Sequence, residues 1–462
     1  MENSLIDFQI ENGVLVKYTG TDTKVTVPEG VTKIGNWAFE DCTTLESIVI
    51  PEGMQEIGWE AFSGCTGLTG IIIPDSLTVI DGHAFSGCTA LKSIVIPEGV
   101  TEIGESAFSG CTALKSIVIP EGVTAIAEEA FSECTALESV TLPAGLTKVD
   151  CYVFHGCSAL TCITIPDGVW KIWHGAFMNC TALKSVSFSD GTEEIGAFAF
   201  QNCTALENIL LPENLTCIGD HAFDGCSALK SIVLPHGVHK IGESAFKGCA
   251  ALERLVLPDE WQSIGSRAFD GCDALKSVEM PGDLMKYAME IFLGTPWMGA
   301  LLEQEKPVIR DCVLLSGDGL TGEYTVPYGI ECIAMFAFSG SSVTGIVLPD
   351  TVTRIARAAF WGCTALKYIV IPDSVTEIGY GAFRGCTSLK CIEIPAGVTE
   401  IDWNAFEGCT SLKSVVIPDS VKKIGRNAFE GCTALTDVTM PAGIEIGKDA
   451  FKGTPYGEAN NL

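Results

Sequence analysis

The chain of 462 residues has 58 acidic and 28 basic residues, a net charge of −30, with 47% hydrophobic and 19% charged residues. This apolar content supports a continuous core and excludes a disordered chain, and no apolar run approaches the roughly 18 residues of a membrane helix. The negative charge repels phosphate backbones and anionic lipid surfaces, so we expect no nucleic-acid partner and no membrane insertion.

The first predicted element is a hairpin. The segment from Ile6 to Tyr18, IDFQIENGVLVKY, alternates around Asn12-Gly13, which is a strong signal for a two-residue hairpin turn. We expect this hairpin to cap the open face of whatever follows it. The opening sequence MENSLIDFQI has neither the basic nor the apolar region of a secretory signal, which leaves a cytoplasmic location open.

After the hairpin, a unit of 23 residues repeats along the chain. A phenylalanine marks the register at every step from Phe39 to Phe292, and alanine precedes it in all but two units. A second series follows, with two steps of 22 residues, at Phe338, Phe360, Phe383, Phe406, Phe429 and Phe451. Self-similarity at a fixed period of this length predicts a solenoid of stacked coils.

One unit shows how a coil is built. Leu91, Ile94 and Ile96 have the spacing L-x-x-I-x-I, and the alternation predicts a short strand with one buried face. Pro97 ends the strand because it cannot donate the next ladder hydrogen bond. Stacked units would align these strands about 4.8 Å apart. The predicted fold is therefore an α/β solenoid, a curved right-handed coil with one parallel concave sheet and short helical or irregular convex turns.

The pattern breaks once, after Phe292. The segment Asp311–Leu315 aligns with Asn12–Val16 and predicts a second hairpin cap. The C-terminal sequence FKGTPYGEANNL also resembles FLGTPWMG, which begins at Phe292. The sequence thus predicts two consecutive arrays, residues 1–304 and residues 305–462, each opened by a hairpin and closed by a G-T-P-aromatic element. Because both arrays are capped, we expect a monomer.

Fifteen of the 21 cysteines share one repeat position, three residues after the phenylalanine. Eleven of them form an unbroken column in the first array, and an odd number cannot pair completely into disulfides. The favoured interpretation is a column of buried thiols, each with a weak S–H donor for a backbone carbonyl; scattered disulfides are the alternative. No C-x-x-C pair is present, which argues against zinc.

Signatures of catalysis are missing from the sequence. The six histidines form no H-E-x-x-H motif, and neither a phosphate-binding glycine loop nor a G-x-S-x-G nucleophile motif occurs. An acidic residue recurs after the strand proline, and a stacked column of carboxylates could hold Ca²⁺, although a solvated edge is favoured. We expect no enzyme, no cofactor and no metal site.

Two faces are candidates for binding a ligand. On the concave face, outward positions such as Val95 and Val118 form a β-branched column that is either a partner surface or a consequence of strand propensity. Specificity is expected where the copied unit is broken on this face, at Arg254, Glu279, Tyr368, Glu393 and Asp437. On the outer edge, aromatic residues precede the Ala-Phe pair at Trp37, Trp59, Trp173, Tyr380 and Trp403. These aromatic side chains either anchor a partner or pack against the neighbouring coil.

The unit IVIPEGVTEIGESAFSGCTALKS resembles the BspA-like, or Treponema pallidum-type, leucine-rich repeat, and the resemblance extends over nearly the whole chain. It implies a leucine-rich-repeat solenoid and a surface or secreted protein that adheres to host extracellular or other microbial surface proteins. The expected function is a non-catalytic protein-recognition or adhesion module. An intracellular interaction scaffold or sensor is the alternative, and a carbohydrate-binding module that uses the aromatic side chains is a weaker one.

Overall fold

A computed structural model describes residues 7–461, so Ile6, the predicted first residue of the hairpin, lies outside the described part. The chain is a β-solenoid in which each repeat forms one coil, as the sequence predicts. Internal packing divides it into two compact units, Met1–Met280 with Gly294–Trp297, and Pro281–Leu293 with Met298–Leu462. The proposed boundary after residue 304 stays a prediction, but the segment Pro281–Leu293 packs within the second unit.

Most coils of the first unit contribute a strand of the x-Ile-x type, whose central aliphatic residue is buried except at Val140 and Val278, which are partly buried. The first of these strands is Lys24–Thr26, and each pairs in parallel with its equivalent in a neighbouring coil. The others are Ser47–Val49, Gly70–Ile72, Ser116–Val118, Ser139–Thr141, Cys162–Thr164, Ser185–Ser187, Ser231–Val233, Arg254–Val256 and Ser277–Glu279. Ser93 and Asn208 continue the ladder through single bridges. We call the outward side of these strands the strand face.

A second parallel ladder runs along the first unit, where the sequence predicts only one sheet. It consists of Lys33–Ile34, Glu56–Ile57, Val79–Ile80, Glu102–Ile103, Ala125–Ile126, Lys148–Val149, Lys171–Ile172, Glu194–Ile195, Cys217–Ile218, Lys240–Ile241 and Ser263–Ile264. Its isoleucine or valine returns to the core at the same point of every coil, for example Ile103. The backbone next to this residue therefore lies beside the equivalent backbone of the next coil, and the two segments form hydrogen bonds as parallel strands.

Phenylalanine rings form the centre of the core. From Phe39 to Phe269, consecutive ring centroids lie 5.0–5.6 Å apart with planes within 12° of parallel. The rings are fully buried. Each coil thus supplies one aromatic ring to a continuous column, which a single coil could not bury by itself.

The predicted caps are confirmed. Strands Phe8–Glu11 and Val14–Tyr18 form an antiparallel hairpin. Its turn residues Asn12 and Gly13 have positive φ, and Tyr18 extends the phenylalanine column with its ring 5.2 Å from that of Phe39. Val308–Arg310 and Val313–Ser316 form the equivalent hairpin of the second unit.

The G-T-P elements also match each other. The amide of Trp297 donates to Leu275 O at 2.8 Å, and the amide of Tyr456 donates to Leu435 O at 3.0 Å. Thr454 is buried and caps the helix that follows it by accepting a hydrogen bond from the amide of Gly457 at 2.9 Å. Within residues 7–461 the α-helices are Ala288–Phe292, Pro296–Leu302 and Pro455–Asn460, and a 3-10 helix spans Gly282–Tyr287.

The second unit repeats the architecture of two ladders. Its x-Ile-x ladder comprises Thr321–Thr325, Ser342–Val347, Tyr368–Val370, Cys391–Glu393, Ser414–Val416 and Asp437–Thr439. Its other ladder comprises Cys332–Ile333, Arg354–Ile355, Glu377–Ile378, Glu400–Ile401, Lys423–Ile424 and Glu445–Ile446. The second unit has its own phenylalanine column, which extends from Phe338 to Phe451. Tyr456 ends this column, with its ring 5.3 Å from that of Phe451.

The outer turns are irregular rather than helical, and most hold a left-handed residue two positions before the phenylalanine. Trp37, Ser106, Phe198 and Ala358 are examples, with φ between 51° and 58°. This backbone conformation directs the amide of that residue to a carbonyl of the next coil, as from Ser106 to Glu128 O at 2.9 Å. The hydrogen bond between coils offsets the cost of a left-handed residue other than glycine.

Candidate binding surfaces

An exposed aliphatic stripe lies on the strand face of the first unit. It consists of Val49, Ile72, Val95 and Val118, which occupy one position in four consecutive coils. Ile72, Val95 and Val118 are 66%, 80% and 68% exposed. The neighbouring inward residues, such as Ile94, are buried in the core. The same strand therefore places one apolar side chain in the core and the next one in solvent. We refer to these four residues as the aliphatic stripe.

The stripe is bounded within its own column. After Val118 the same position holds Thr141, Thr164 and Ser187, which are exposed and polar. Apolar exposure returns at Leu210 and Val233, which are 84% and 70% exposed. Since threonine and serine fit the same strand position, the fold does not require an aliphatic side chain at Val95 or Val118.

The five predicted break positions on the strand face do not form one cluster. Arg254 and Glu279 pair with each other at 2.6 Å, with both side chains more than half exposed. Such an exposed ion pair contributes little to stability, and its charges remain available to solvent. In the second unit, the ring of Tyr368 lies over Gly345, and a hydrogen bond to Glu323 raises the pKa of Tyr368.

The other two break positions are exposed and separated. Glu393 and Asp437 are in strands Cys391–Glu393 and Asp437–Thr439, with strand Ser414–Val416 between them. No described contact brings these carboxylates together with Tyr368. A role for the five break positions in specificity stays a prediction. In the structure only Arg254 and Glu279 contact each other, and the other three lie in different strands.

Several residues of the predicted aromatic edge pack on the next coil. The indole of Trp59 covers Gly82, where an added Cβ would meet its ring, and Trp403 covers Gly425 in the same way. The ring of Trp173 receives the Lys171 ammonium at 4.4 Å from its centroid. Trp37 and Trp403 still expose about half of their surface, 47% and 52%. Trp59 and Trp403 therefore pack against the neighbouring coil, and about half of Trp403 remains accessible.

Tyr380 has a different environment. The guanidinium of Arg357 lies over its ring at 4.7 Å, and both side chains line a notch of about 160 Å³ on the outer turns of the second unit. The sequence did not single out Arg357. Its repeat position varies from coil to coil, and an arginine one coil before Tyr380 in the same column is the signal that could have identified it.

The cysteine column is a ladder of buried thiols, as predicted. The Sγ of Cys65 donates to Phe39 O at 3.0 Å, and that of Cys88 donates to Phe62 O at 3.2 Å; the pattern repeats along the unit. The cysteines of the described residues are unpaired. Burial raises the pKa of Cys88 and of Cys134 to about 12, while the backbone hydrogen bond lowers it less. These thiols are therefore protonated and poor nucleophiles near neutral pH.

We expect iodoacetamide at pH 7.5 to alkylate Cys162, Cys312 and Cys391, which are exposed, while the ladder thiols stay unmodified. Peptide mass spectrometry of the native chain would measure the modified fraction at each cysteine. The same reaction in denaturant is the control, and it should modify ladder and exposed cysteines alike. Native alkylation of Cys88 or Cys134 at the rate of Cys162 would contradict the ladder.

A largely buried arginine, Arg354, joins the segment Pro281–Leu293 to the second array. The Nη2 of Arg354 is 3.0 Å from the Glu290 carboxylate, and its Nε is 3.0 Å from that of Glu377. Its Nη1 donates to Lys286 O at 3.3 Å, and its guanidinium lies 4.7 Å from the centre of the Tyr287 ring. Burial opposes the charge, but the two carboxylates raise the pKa of Arg354 above its ordinary value.

The surroundings of Arg354 form a pocket of about 250 Å³, which is also lined by Cys332 and Asp311. Burial raises the pKa of Cys332 to about 11, although Arg354 lowers it. Two carboxylates and a carbonyl already pair with the guanidinium of Arg354. We therefore interpret the pocket as the space around a structural ion pair and not as a ligand site. Within residues 7–461, no group of three or more His, Cys, Asp or Glu side chains is arranged to hold a metal ion. No helix in that range has the length and apolarity to cross a membrane.

Comparison with known proteins identifies the repeat. The sequence model for the BspA type leucine-rich repeat region, which comprises six copies, matches residues 15–137, 101–216, 193–301 and 331–456. No curated protein matched the chain.

Solved structures of repeat proteins are similar to the chain. A leucine-rich repeat protein from Bacteroides ovatus is 29% identical, covering 95% of this chain and 93% of that chain with a TM-score of 0.49. The Treponema pallidum leucine-rich repeat protein is 30% identical, covering 45% of this chain and 91% of that chain with a TM-score of 0.36. A leucine-rich cell surface protein from Faecalibacterium prausnitzii is 25% identical, covering 94% and 92% respectively, with a TM-score of 0.28.

Proposed function

The chain belongs to the BspA type leucine-rich repeat family, and from this premise we propose that it is a non-catalytic protein-recognition module. Its first unit binds a partner protein through the aliphatic stripe. The observation that carries the proposal is the exposure of Ile72, Val95 and Val118, each two-thirds or more accessible in consecutive coils. Contiguous apolar surface of this kind is characteristic of interaction sites.

The free energy of binding would come from removing these side chains from water. Full burial of a valine or isoleucine side chain contributes about 1.5–3 kcal/mol. The stripe is bounded by Thr141, so its partner should present a narrow apolar ridge that spans about four coils. Strand propensity alone explains β-branched residues, but threonine at the same position meets that propensity without exposing so much apolar surface.

A double substitution tests the stripe. We expect Val95→Glu with Val118→Glu to weaken partner binding about 100-fold, because two apolar contacts are lost and two charges must be desolvated. Glutamate already occupies this position at Glu279 and Glu393, so the melting temperature should change little. The measurement is capture of partner proteins by the intact chain, followed by titration of the captured partner against each variant.

The matched control is Thr164→Glu with Ser187→Glu, which adds the same two charges in the same column outside the stripe. Its affinity for the partner should stay within a factor of two or so of the unmodified chain, which is roughly 0.4 kcal/mol. Equal capture by the control and the stripe variant would show that the stripe is not the site.

The finer proposal is adhesion. The family resemblance supports a location at the cell surface or outside the cell, where the protein would bind host or other microbial surface proteins. Mild proteolysis of intact source cells tests this, since a displayed or secreted protein is cleaved or found in the medium. Protection within intact cells would instead support an intracellular scaffold.

A further inference from the structure

The notch on the outer turns of the second unit lies apart from the strand face. It is lined by Phe336, Arg357, Ala358, Trp361, Tyr380 and Arg384, with Gly381 in its floor. Its volume is about 160 Å³. A cavity of about 150 Å³ accommodates a benzene ring, so the notch is large enough for one side chain.

The notch exists because two coils carry small residues at the left-handed position of the outer turn. Ala358 and Gly381 occupy this position with φ of 52° and 58°, where other coils place large side chains such as Trp37 and Phe198. The aromatic rings of Phe336, Trp361 and Tyr380 therefore surround an open space. Trp361 is 46% exposed, and its ring centroid lies 6.1 Å from that of Phe336.

The charge in the notch is opposite to that of the chain as a whole. Arg357 is exposed and stacks on Tyr380, and no ion pair within residues 7–461 involves its guanidinium. Arg384 pairs with Glu407 at 3.0 Å, which holds its side chain in place. A protein of net charge −30 therefore presents a guanidinium without a carboxylate partner beside an exposed indole.

We propose that this notch binds an acidic peptide segment of a partner protein. A carboxylate of the segment pairs with Arg357, and an adjacent apolar side chain enters the notch and packs against Trp361 and Phe336. Arginine on an aromatic face is well suited to a carboxylate because its planar fork can donate two parallel hydrogen bonds.

The lining favours a peptide over an acidic sugar. Apart from the two guanidiniums and the Tyr380 hydroxyl, the side chains that line the notch are aromatic or aliphatic. A sugar would bring several hydroxyl groups that need hydrogen-bond partners, and unsatisfied polar groups at a binding site cost affinity. Only a carboxylate and one apolar side chain of a peptide need enter the notch, while its backbone groups stay hydrated outside it.

The test uses the intact chain and a synthetic peptide, acetyl-GDFEG-amide, titrated by isothermal calorimetry. Its neutral counterpart, acetyl-GNFQG-amide, should bind at least about tenfold more weakly, as expected from loss of a charged hydrogen bond. Arg357→Gln should weaken binding of the acidic peptide by about the same factor, and so should Trp361→Ala. Added salt should weaken binding as well.

The matched control is Arg426→Gln, because Arg426 is exposed at the same repeat position as Arg357 but outside the notch. This variant should bind the acidic peptide like the unmodified chain. Equal binding of both peptides, or an equal effect of Arg357→Gln and Arg426→Gln, would overturn the proposal. Tighter, Arg357-dependent binding of methyl α-sialoside would also overturn it in favour of an acidic sugar. The double substitution of the aliphatic stripe should leave peptide binding intact, which separates this site from the proposed function.

Discussion

Raising the pH from 8.5 to 9.5 should destabilise the first unit by at least about 3 kcal/mol. Burial raises the pKa of Cys88, Cys134 and Cys272 to about 12, whereas an unfolded thiol titrates near 8.5. The folded chain therefore keeps protons that the unfolded chain releases. Each such thiol contributes stability that is fully present below about pH 8.5 and is lost progressively as the pH rises towards 12.

The magnitude follows from linkage. Between pH 8.5 and 9.5 one thiol with this shift removes about 1 kcal/mol, because about half of the unfolded thiol is already ionised at pH 8.5. Three such thiols remove about 3 kcal/mol, and other buried thiols of the ladder add to this. Denaturant titrations at fixed ionic strength with a phosphine reductant would measure the free energy of unfolding at each pH. The reductant prevents oxidation of thiolates exposed by unfolding.

Serine substitutions provide the control for the alkaline effect. Cys88→Ser with Cys134→Ser removes two titrating groups and keeps a donor for the carbonyls of Phe62 and Phe108. The loss of stability between pH 8.5 and 9.5 should then shrink by about 2 kcal/mol, whatever the starting stability. Cys162→Ser, at an exposed cysteine of the same unit, should not change the slope. An unchanged slope in the double variant would show that the ladder is not the cause.

Removing the buried arginine of the second unit should have a comparable effect. We expect Arg354→Ala to cost about 3–5 kcal/mol, because the Glu290 carboxylate loses a buried partner and the carbonyl of Lys286 loses a donor. The segment Pro281–Leu293 should then exchange its amide hydrogens faster. Hydrogen exchange resolves this local opening, which a single melting temperature of a repeat protein would obscure.

Arg384→Ala is the matched control for Arg354→Ala. It breaks an arginine–glutamate pair at the same distance, 3.0 Å, but with the arginine side chain 42% exposed rather than 14%. An exposed pair is worth roughly 0–1 kcal/mol. If both substitutions cost the same, or if exchange of Pro281–Leu293 is unchanged in Arg354→Ala, the arginine does not hold that segment.

Prediction from sequence worked where a feature depends on spacing within one unit. The repeated phenylalanine, the cysteine three residues later and the buried Ile94 and Ile96 follow from residues that every coil must bury. Asn12-Gly13 predicted its hairpin because that pair readily takes positive φ. The predicted binding residues could not be placed in the same way, because they are departures from the repeat.

The sequence by itself determined the solenoid, its hairpin caps and its column of thiols, because a copied unit has only one way to bury the same residues repeatedly. Only the tertiary structure decided the second ladder, the packing of Pro281–Leu293 around Arg354, the pairing of Arg254 with Glu279, and the notch beside Arg357. These features depend on groups of different coils meeting in space and on the directions that long side chains take. Neither is encoded by the spacing of residues within one unit.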